Sequence, residues 1–379
     1  MAFLNNRVVP YQLVIFDIDG TLVDSFEQFI ELLNCFAGKY RYALMHKDQV
    51  EHLRALPPRQ IRQALNLFYL LRHAEGWVVV DTGLAVPRSR EVWERVFVEV
   101  MDSRPVLAVI CTHFHFDHSG LAAWLTERFR CPLYMTRGEY QALYVAPDGR
   151  EPGWEFHDFY RRAGLDEEQI ASLFPTIEGM RFDGGLPRSH RRLRDGSWLK
   201  IGGRHWQVVV GAGHSPEHAC LLSKEDQLLI AGDQVLPRIT SSVLVGANEP
   251  YANPLGDWLD SLRKLRALPD EALVLPAHER PFYGLHQRLY QLQKHHEHHL
   301  DTLMAELAGA MTAAEIRPLL FPRIKGPFDL LMSLGETLAH LHYLVEEGEL
   351  TRELEAGVWR FRRVDPGLAR PEQPGDIHI

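Results

Sequence analysis

The chain has few of the features that mark secreted or membrane-spanning proteins. Its 379 residues include only four cysteines, and no two of them have CxxC spacing, so nothing indicates a disulfide framework. The N-terminal residues lack the basic segment and sustained apolar run of a signal peptide, and no apolar stretch is long enough to cross a bilayer. We therefore predict a cytoplasmic protein that makes no membrane contact.

Positive charge is scarce as well. The 41 Lys and Arg residues are outnumbered by 50 Asp and Glu residues, which leaves a net charge of −9 and argues against broad attraction to nucleic acid. A local basic segment runs through residues 181–204, where Arg188 and Arg191 are candidates for contact with an anionic small-molecule substrate. A solvated loop is the alternative interpretation of the same segment.

The hydrophobic pattern divides the chain into four blocks. Residues 1–64 contain a β-prone run, YQLVIF, followed by helical segments. Residues 65–285 alternate strands with helices, as is typical of a layered α/β domain, and an aromatic-rich insertion at 138–195 is expected to roof a pocket. Residues 286–365 read as helices followed by a hairpin, which indicates a small winged-helix-like domain. Residues 366–379 have the composition of a flexible tail.

The C-terminal block contains more acidic than basic residues. A winged helix that binds nucleic acid needs a basic face, so we interpret this block as a packing or dimerisation element. A homodimer formed through this block is therefore compatible with the sequence. Nucleic acid is not expected as a partner, although the sequence does not exclude it.

The densest chemical signal is the segment Thr112–Gly120, which reads THFHFDHSG. It follows the apolar run VLAVIC, so a strand that ends there delivers four potential ligands into one short loop: His113, His115, Asp117 and His118. Imidazole and carboxylate are preferred ligands of zinc and related divalent metals. The segment therefore predicts a metal site.

Three later segments repeat this pattern of a polar residue at the end of an apolar strand. VVVGAGHSPEH offers His214, QLLIAGDQ offers Asp233 and LVLPAHE offers His278. Because strand ends in layered α/β folds converge on one edge, these side chains can meet the loop that follows VLAVIC. Each of them alone would more often be structural, but together they predict a set of seven ligands.

Here the sequence resembles the metallo-β-lactamase superfamily over residues 65–285. The motifs THFHFDH, GHSPEH, AGDQ and PAHE match the successive metal motifs of that family. The resemblance implies an α/β fold of the αββα sandwich type. It also implies one metal bound by His113, His115 and His214, a second bound by Asp117, His118 and His278, and Asp233 as the bridge.

The same resemblance assigns three further roles. VVVDTG is similar to an early strand of the family whose aspartate orients the metal ligands, which makes Asp81 an outer partner of the site, with a turn-capping aspartate as the alternative. Asp117 is the candidate to handle the proton. His218, in HSPEH, is a candidate for substrate contact or a structural histidine.

The resemblance implies a binuclear zinc hydrolase, with iron or manganese as other possible metals. Two metals make a bridging hydroxide available near neutral pH, so no serine or cysteine nucleophile is required. The bridging position holds Asp233 and not cysteine, unlike the antibiotic-hydrolysing lactamases that use a cysteine ligand. We expect hydrolysis of an ester-type bond, foremost a thioester as in hydroxyacylglutathione hydrolases. A metal-dependent phosphodiesterase or ribonuclease is the alternative.

A second resemblance lies near the N-terminus. The segment DIDGTLVDS, which begins at Asp17 and contains Asp19, resembles motif I of haloacid dehalogenase-type phosphatases, where the first aspartate attacks phosphorus. The later elements of that family have no convincing place in this chain. We interpret 1–64 as an inactive βα fragment whose strand either packs against the first edge of the metallohydrolase sheet or hangs free. A bifunctional protein with phosphatase activity is the alternative.

The run His295-His296-Glu297-His298-His299 also invites a metal assignment. It lies in a polar helical segment, where consecutive side chains point in different directions. We therefore interpret these histidines as mostly solvated.

Overall fold

The computed structural model describes residues 13–17, 67–145, 153–178 and 185–364. Asp19, Cys35 and the predicted C-terminal tail lie outside these residues, as does most of the N-terminal fragment. The cysteines within them, Cys111, Cys131 and Cys220, are free thiols.

A six-stranded sheet carries the first half of the fold. Its strands, in spatial order, are β1 (Leu13–Asp17), β2 (Leu67–His73), β3 (Gly76–Val80), β4 (Val106–Ile110), β5 (Leu133–Met135) and β6 (Arg191–Arg192). The first three strands pair antiparallel, and β3 to β6 pair parallel. The crossovers between the parallel strands β3, β4 and β5 contain helices, as parallel pairing requires.

The N-terminal strand belongs to this sheet. β1 pairs antiparallel with β2, with Leu13 opposite Leu71 and Asp17 opposite Leu67. Of the two expectations for the fragment, packing against the first edge of the sheet is the one observed. Pairing satisfies backbone groups that β2 would otherwise expose along a sheet edge.

A five-stranded sheet carries the second half. Its spatial order is β11 (Leu273–Pro276), β10 (Leu228–Gly232), β9 (His218–Ser223), β8 (Arg204–Gly211) and β7 (Trp198–Ile201). The pairing is antiparallel except between β10 and β11. The antiparallel strands β9 and β10 form a hairpin across Lys224–Asp226. The sequence pattern did not reveal β6 and β7, because β6 is only two exposed residues long and β7 is largely exposed.

Helices cover the outer face of each sheet. They are α1 (Pro87–Glu99), α2 (Phe116–Ser119), α3 (Ala122–Phe129), α4 (Arg137–Val145), α5 (Trp154–Arg162), α6 (Glu167–Glu178), α7 (Pro254–Leu265), α8 (Leu285–Glu306), α9 (Ala313–Leu320) and α10 (Pro327–Glu346). Local signals set several of their ends: Pro87 occupies the first turn of α1, and Thr312 with Glu315 forms a capping box on α9. No helix in the described ranges is both long and apolar enough to cross a membrane.

The packing confirms a four-layer αββα sandwich. One buried cluster lies between the two sheets and includes Ile110 from the first and Leu221 from the second. Two more clusters lie on the outer faces, where Trp93 packs against the first sheet and Trp258 against the second. This arrangement buries both faces of both sheets, which explains why their strands read as nearly continuous apolar runs.

The C-terminal helices α8 to α10 are followed by a hairpin of β12 (Leu350–Glu355) and β13 (Val358–Arg363). Helices followed by a hairpin are what the sequence predicted for this block. The hairpin packs into the same core as α10, through Trp359 and Phe361.

Two aromatic residues of the insertion at 138–195 belong to the protein core. Phe159 and Tyr160 of α5 are buried in the core around the second sheet, and Phe159 lies 5.8 Å from Trp359, centroid to centroid. These rings are core residues between the insertion and the C-terminal hairpin, and a roof over a pocket stays a prediction for the rest of the insertion. Trp154, at the start of α5, is 73% exposed, so its ring faces solvent.

We predict that Phe361 is a principal anchor of the hairpin. Its side chain is fully buried, and its backbone exchanges two hydrogen bonds with Met311, at 2.8 and 3.0 Å. Phe361→Ala should lower the free energy of unfolding by about 3–5 kcal/mol because it leaves a cavity in the core. Urea unfolding followed by circular dichroism measures this. Leu354→Ala, at an exposed position of the same hairpin, should change it by less than about 0.5 kcal/mol, and equal losses would contradict the prediction.

Candidate metal centre

The seven predicted ligands lie together at one edge of the sandwich. The loop after β4 and the short helix α2 supply four of them, and the residues that follow β8, β10 and β11 supply one each. In chain order they are His113, His115, Asp117, His118, His214, Asp233 and His278. The strands of both sheets therefore end where these side chains meet.

Three imidazoles form a first group. His113 Nε2 lies 2.9 Å from His115 Nδ1 and 3.3 Å from His214 Nε2. His214 Nδ1 donates a hydrogen bond of 2.8 Å to the Ser242 carbonyl, which leaves the lone pair of a neutral His214 on Nε2, towards the group. Three ring nitrogens this close together form a cradle for a cation.

A second group contains Asp117, His118 and His278. Asp117 Oδ2 lies 3.7 Å from His118 Nε2 and 3.7 Å from His278 Nε2. These three atoms also lie close enough together to hold one metal ion. The donor set of two imidazoles and a carboxylate suits zinc and similar metals.

Asp233 lies between the two groups. Its Oδ2 is 3.4 Å from His214 Nε2 and 3.6 Å from His118 Nε2, and its Oδ1 is 3.3 Å from His278 Nε2. Oδ2 thus faces one histidine of each group, and Oδ1 faces a second histidine of the Asp117 group. The carboxylate therefore lies where it could contact both metal positions.

Two buried atoms of the site have no hydrogen-bond partner among the described residues: His118 Nε2 and Asp233 Oδ1. Leaving such an atom unpaired costs about 1–3 kcal/mol, and more when the group is charged. A divalent cation between them would satisfy both. The residues present therefore fit the divalent metals that a His and Asp cluster of this kind binds.

The electrostatics of the two groups differ. Burial, together with the neighbouring His214, lowers the pKa of His115 to about 3, which keeps its lone pair available at neutral pH. Burial also opposes protonation of His278, but Asp233 and Asp117 outweigh it and raise the pKa of His278 to about 9. Without metal, the second group therefore holds protons that a bound cation would displace.

Asp81 has the outer position that the sequence suggested. It follows β3 in the left-handed region, with φ of 62°, and it is buried. Its carboxylate accepts hydrogen bonds from the Thr112 backbone N–H at 2.8 Å and from His118 Nδ1 at 3.0 Å. The second bond fixes the His118 ring so that Nε2 faces the site. The role of a simple turn cap is therefore not the one observed.

Glu139, in α4, is a structural element of the site that the sequence analysis missed. Its buried carboxylate accepts hydrogen bonds from the backbone N–H groups of Phe114 at 2.9 Å and Glu217 at 2.7 Å, and from the Ser215 hydroxyl at 2.7 Å. It thereby joins the loop after β4 to the loop after β8. Burial raises the pKa of Glu139 to about 7, against these three bonds. A glutamate in an amphipathic helix gives no sequence signal of such a role.

His218 requires a correction as a candidate for substrate contact. Its side chain is fully buried, and its Nε2 accepts a hydrogen bond of 3.1 Å from the Asp233 backbone N–H. A Cβ at Gly232, where φ is 52°, would lie 2.5 Å from the His218 ring. His218 therefore positions the backbone beside Asp233, and the close approach requires glycine at residue 232.

The two arginine candidates lie on the surface. Arg188 is exposed, and Arg191 is an exposed residue of β6 whose guanidinium donates a hydrogen bond of 3.0 Å to the Tyr134 hydroxyl. Among the described residues, no hydrogen bond or ion pair joins either arginine to the metal-site side chains. Contact of these arginines with a substrate remains a prediction.

Three family models match different parts of the chain. Residues 65–278 match the metallo-beta-lactamase superfamily, and residues 300–364 match the metallo-beta-lactamase-like C-terminal domain. Residues 14–71 match the haloacid dehalogenase-like hydrolase family. The first match covers all seven residues of the candidate metal centre.

Individual relatives agree with the first two matches. A beta-lactamase domain protein from Burkholderia ambifaria has a crystal structure that is 39% identical, covers 80% of this chain and 89% of its own, and has a TM-score of 0.74. A probable metallo-hydrolase of Bacillus subtilis, YqjP, is 22% identical over 78% of this chain and 92% of its own. The human acyl-coenzyme A thioesterase MBLAC2 is 28% identical over 59% of this chain and 76% of its own. The chain therefore belongs to the metallo-beta-lactamase superfamily and is a metal-dependent hydrolase.

Proposed function

We propose that the protein is a binuclear zinc hydrolase that cleaves thioesters of small, anionic carriers. The observation that carries the binuclear assignment is Asp233, whose two oxygens face different histidines while Oδ1 has no hydrogen-bond partner among the described residues. The thioester assignment is supported by the acyl-coenzyme A thioesterase among the relatives. Family membership by itself establishes neither the binuclear zinc site nor the thioester substrate.

In this proposal the three-imidazole group, His113, His115 and His214, would hold one ion. Asp117, His118 and His278 would hold the other, and Asp233 would serve both. When bound, two such ions lower the pKa of a coordinated water from about 15.7 towards 7 and so supply a nucleophile at neutral pH. Asp81 and Glu139 would not contact the ions themselves. The hydrogen bonds that they accept orient the ligands and their loops.

Asp117 is the residue that we assign to proton handling. Its side chain is 25% exposed, whereas that of Asp233 is 9% exposed and that of Asp81 is 3% exposed. It is therefore the most accessible of these three carboxylates. Asp117 can accept a proton from the attacking water and release it to solvent.

A thioester matches this set of residues. A thiol has a pKa of about 8.5, so a thiolate can depart with little help from a general acid. An alkoxide or an amide nitrogen would need a proton donor on the opposite side of the scissile bond. Asp81, Glu139 and His218 are already held in buried hydrogen bonds, which leaves them unsuited to that task.

The proposal predicts the order of rates in a substrate panel. The zinc-loaded protein should hydrolyse an acyl-coenzyme A or a hydroxyacylglutathione with kcat/KM at least about a hundredfold above that for a lactone, a bis(aryl) phosphodiester or RNA, a gap of roughly 3 kcal/mol in activation free energy. Released thiol is measured with a chromogenic disulfide. His115→Ala should abolish turnover, and His205→Ala, at an exposed site outside the cluster, should not. Faster cleavage of the phosphodiester or RNA would replace the thioesterase assignment with that of a phosphodiesterase.

A second prediction concerns Asp81. Asp81→Asn replaces a carboxylate oxygen that accepts from His118 Nδ1 with an amide that can present a donor to it, so the His118 ring loses its fixed orientation. We expect the affinity for zinc to fall about 10–100-fold, as measured by competition with a chelating dye. Asp102→Asn is the matched control, because Asp102 also has a positive φ of 51° but is exposed. An unchanged affinity in Asp81→Asn would contradict the role of this hydrogen bond.

A third prediction concerns the match to haloacid dehalogenase-like hydrolases. We propose that this fragment is catalytically silent and that its strand β1 serves as the edge of the hydrolase sheet. The purified protein should release no p-nitrophenol from p-nitrophenyl phosphate in magnesium above the rate of Asp17→Asn. Magnesium-dependent turnover that Asp17→Asn abolishes would show instead that the protein is bifunctional.

A further inference from the structure

The histidine run of α8 has a different environment from the one that its sequence suggested. His296 is fully buried, and His295 and His299, one helical turn apart, share a helix face. Their rings lie 4.4 Å apart, centroid to centroid. Glu336 of α10 faces them, and one ligand atom from each of His295, His299 and Glu336 lies within 4.8 Å of the other two. The interpretation of these histidines as mostly solvated was therefore wrong.

Two polar side chains of this group have atoms without a hydrogen-bond partner among the described residues. Among the described residues, the Glu336 carboxylate takes part in no hydrogen bond or ion pair, and burial alone raises its pKa to about 7. His299 Nδ1 is buried and has no hydrogen-bond partner either. A buried ring nitrogen is costly without a partner, and so is a carboxylate that is largely withdrawn from water.

The neighbouring histidines do not satisfy these atoms, because they are bound to each other. His340 Nδ1 donates a hydrogen bond of 2.8 Å to the Glu336 carbonyl, so the lone pair of a neutral His340 is on Nε2. His296 Nδ1 lies 3.2 Å from that nitrogen and donates to it. His296 and His340 thus form a buried pair behind the group and leave His299 Nδ1 and the Glu336 carboxylate without a partner.

Protonated lysine or arginine does not neutralise Glu336 either. The nearby Arg288 guanidinium donates to the carbonyls of Leu236 at 2.6 Å and Ile239 at 2.7 Å. Burial, together with the neighbouring His298 and Arg288, lowers the pKa of His295, and burial lowers the pKa of His299 to about 3. Both imidazoles are therefore neutral near pH 7 and can act as ligands.

We propose that His295, His299 and Glu336 form a further binding site for a transition-metal dication, foremost zinc, which ties α8 to α10. Two imidazoles and one carboxylate are a donor set that zinc uses, with a fourth position for water. His295 is only half-buried, so an ion can reach the site from solvent. The site shares no residue with the metal centre of the hydrolase and does not depend on the proposed function.

The ion would act on the stability of the C-terminal helices. Its ligands come from two helices that are far apart in sequence, and a ligand that binds only the folded state stabilises that state by mass action. It would also supply the positive charge that Glu336 lacks. We therefore expect stability, and not the rate of hydrolysis, to respond to this site.

The test counts zinc in full-length protein that has been stripped with a chelator, reloaded with excess zinc and dialysed. By plasma mass spectrometry, His299→Ala and Glu336→Gln should each contain one zinc per chain less than the wild type, with unchanged hydrolase activity. His298→Ala is the control, because His298 lies in the same run but is exposed. It should retain the full zinc content.

Glu336→Gln keeps the test decisive if His299→Ala does not fold, because it preserves shape and removes only the charge. The zinc-induced rise in Tm of the wild type should shrink in Glu336→Gln and persist in His298→Ala. Equal zinc content and equal zinc-induced shifts in all three proteins would overturn the proposal. In that case Glu336 would share a proton with His299 instead of a metal ion.

Discussion

The Asp233 carboxylate, buried among four imidazoles, is the constraint on which the rest of the site depends. A carboxylate so far from water is stable only if positive charge or hydrogen bonds surround it. His278 and His118 lower the pKa of Asp233 despite its burial, and the His118 ring is itself held by its hydrogen bond to Asp81. The site is therefore assembled around one negative charge that needs partners on both sides.

Two other buried carboxylates hold the loops that carry the ligand histidines in position. Asp81 joins the end of β3 to Thr112 and His118, and Glu139 joins the loop after β4 to the loop after β8. The bonds that Asp81 accepts all come from the segment Thr112–His118, whereas Glu139 accepts bonds from two segments that are far apart in sequence. The ligand loops are thus crosslinked by charge-assisted hydrogen bonds to elements of a rigid sandwich. Some side chains of the site therefore face the metal positions, and others, Asp81 and Glu139, orient those side chains and their loops.

The N-terminal strand, the insertion and the C-terminal hairpin pack around this core. A strand from the segment that matches haloacid dehalogenase-like hydrolases pairs with β2 and forms the edge of the first sheet. At the other end, insertion helix α5 and the C-terminal hairpin share a core through Phe159 and Trp359. The insertion and the C-terminal block therefore pack against each other, although more than 180 residues separate them.

The sequence by itself determined the layered α/β fold, the strands that carry the site and the seven side chains that meet there. It could do so because each ligand follows an apolar strand directly, and that pattern is local. The structure alone decided the roles of Glu139, His218 and Glu336. Their partners are distant in sequence, and burial, which gives each of these groups its effect, arises only when separate segments pack together. His295 and His299 illustrate this point, because the same run that reads as a solvated helix face becomes a ligand cradle once α10 places a carboxylate against it.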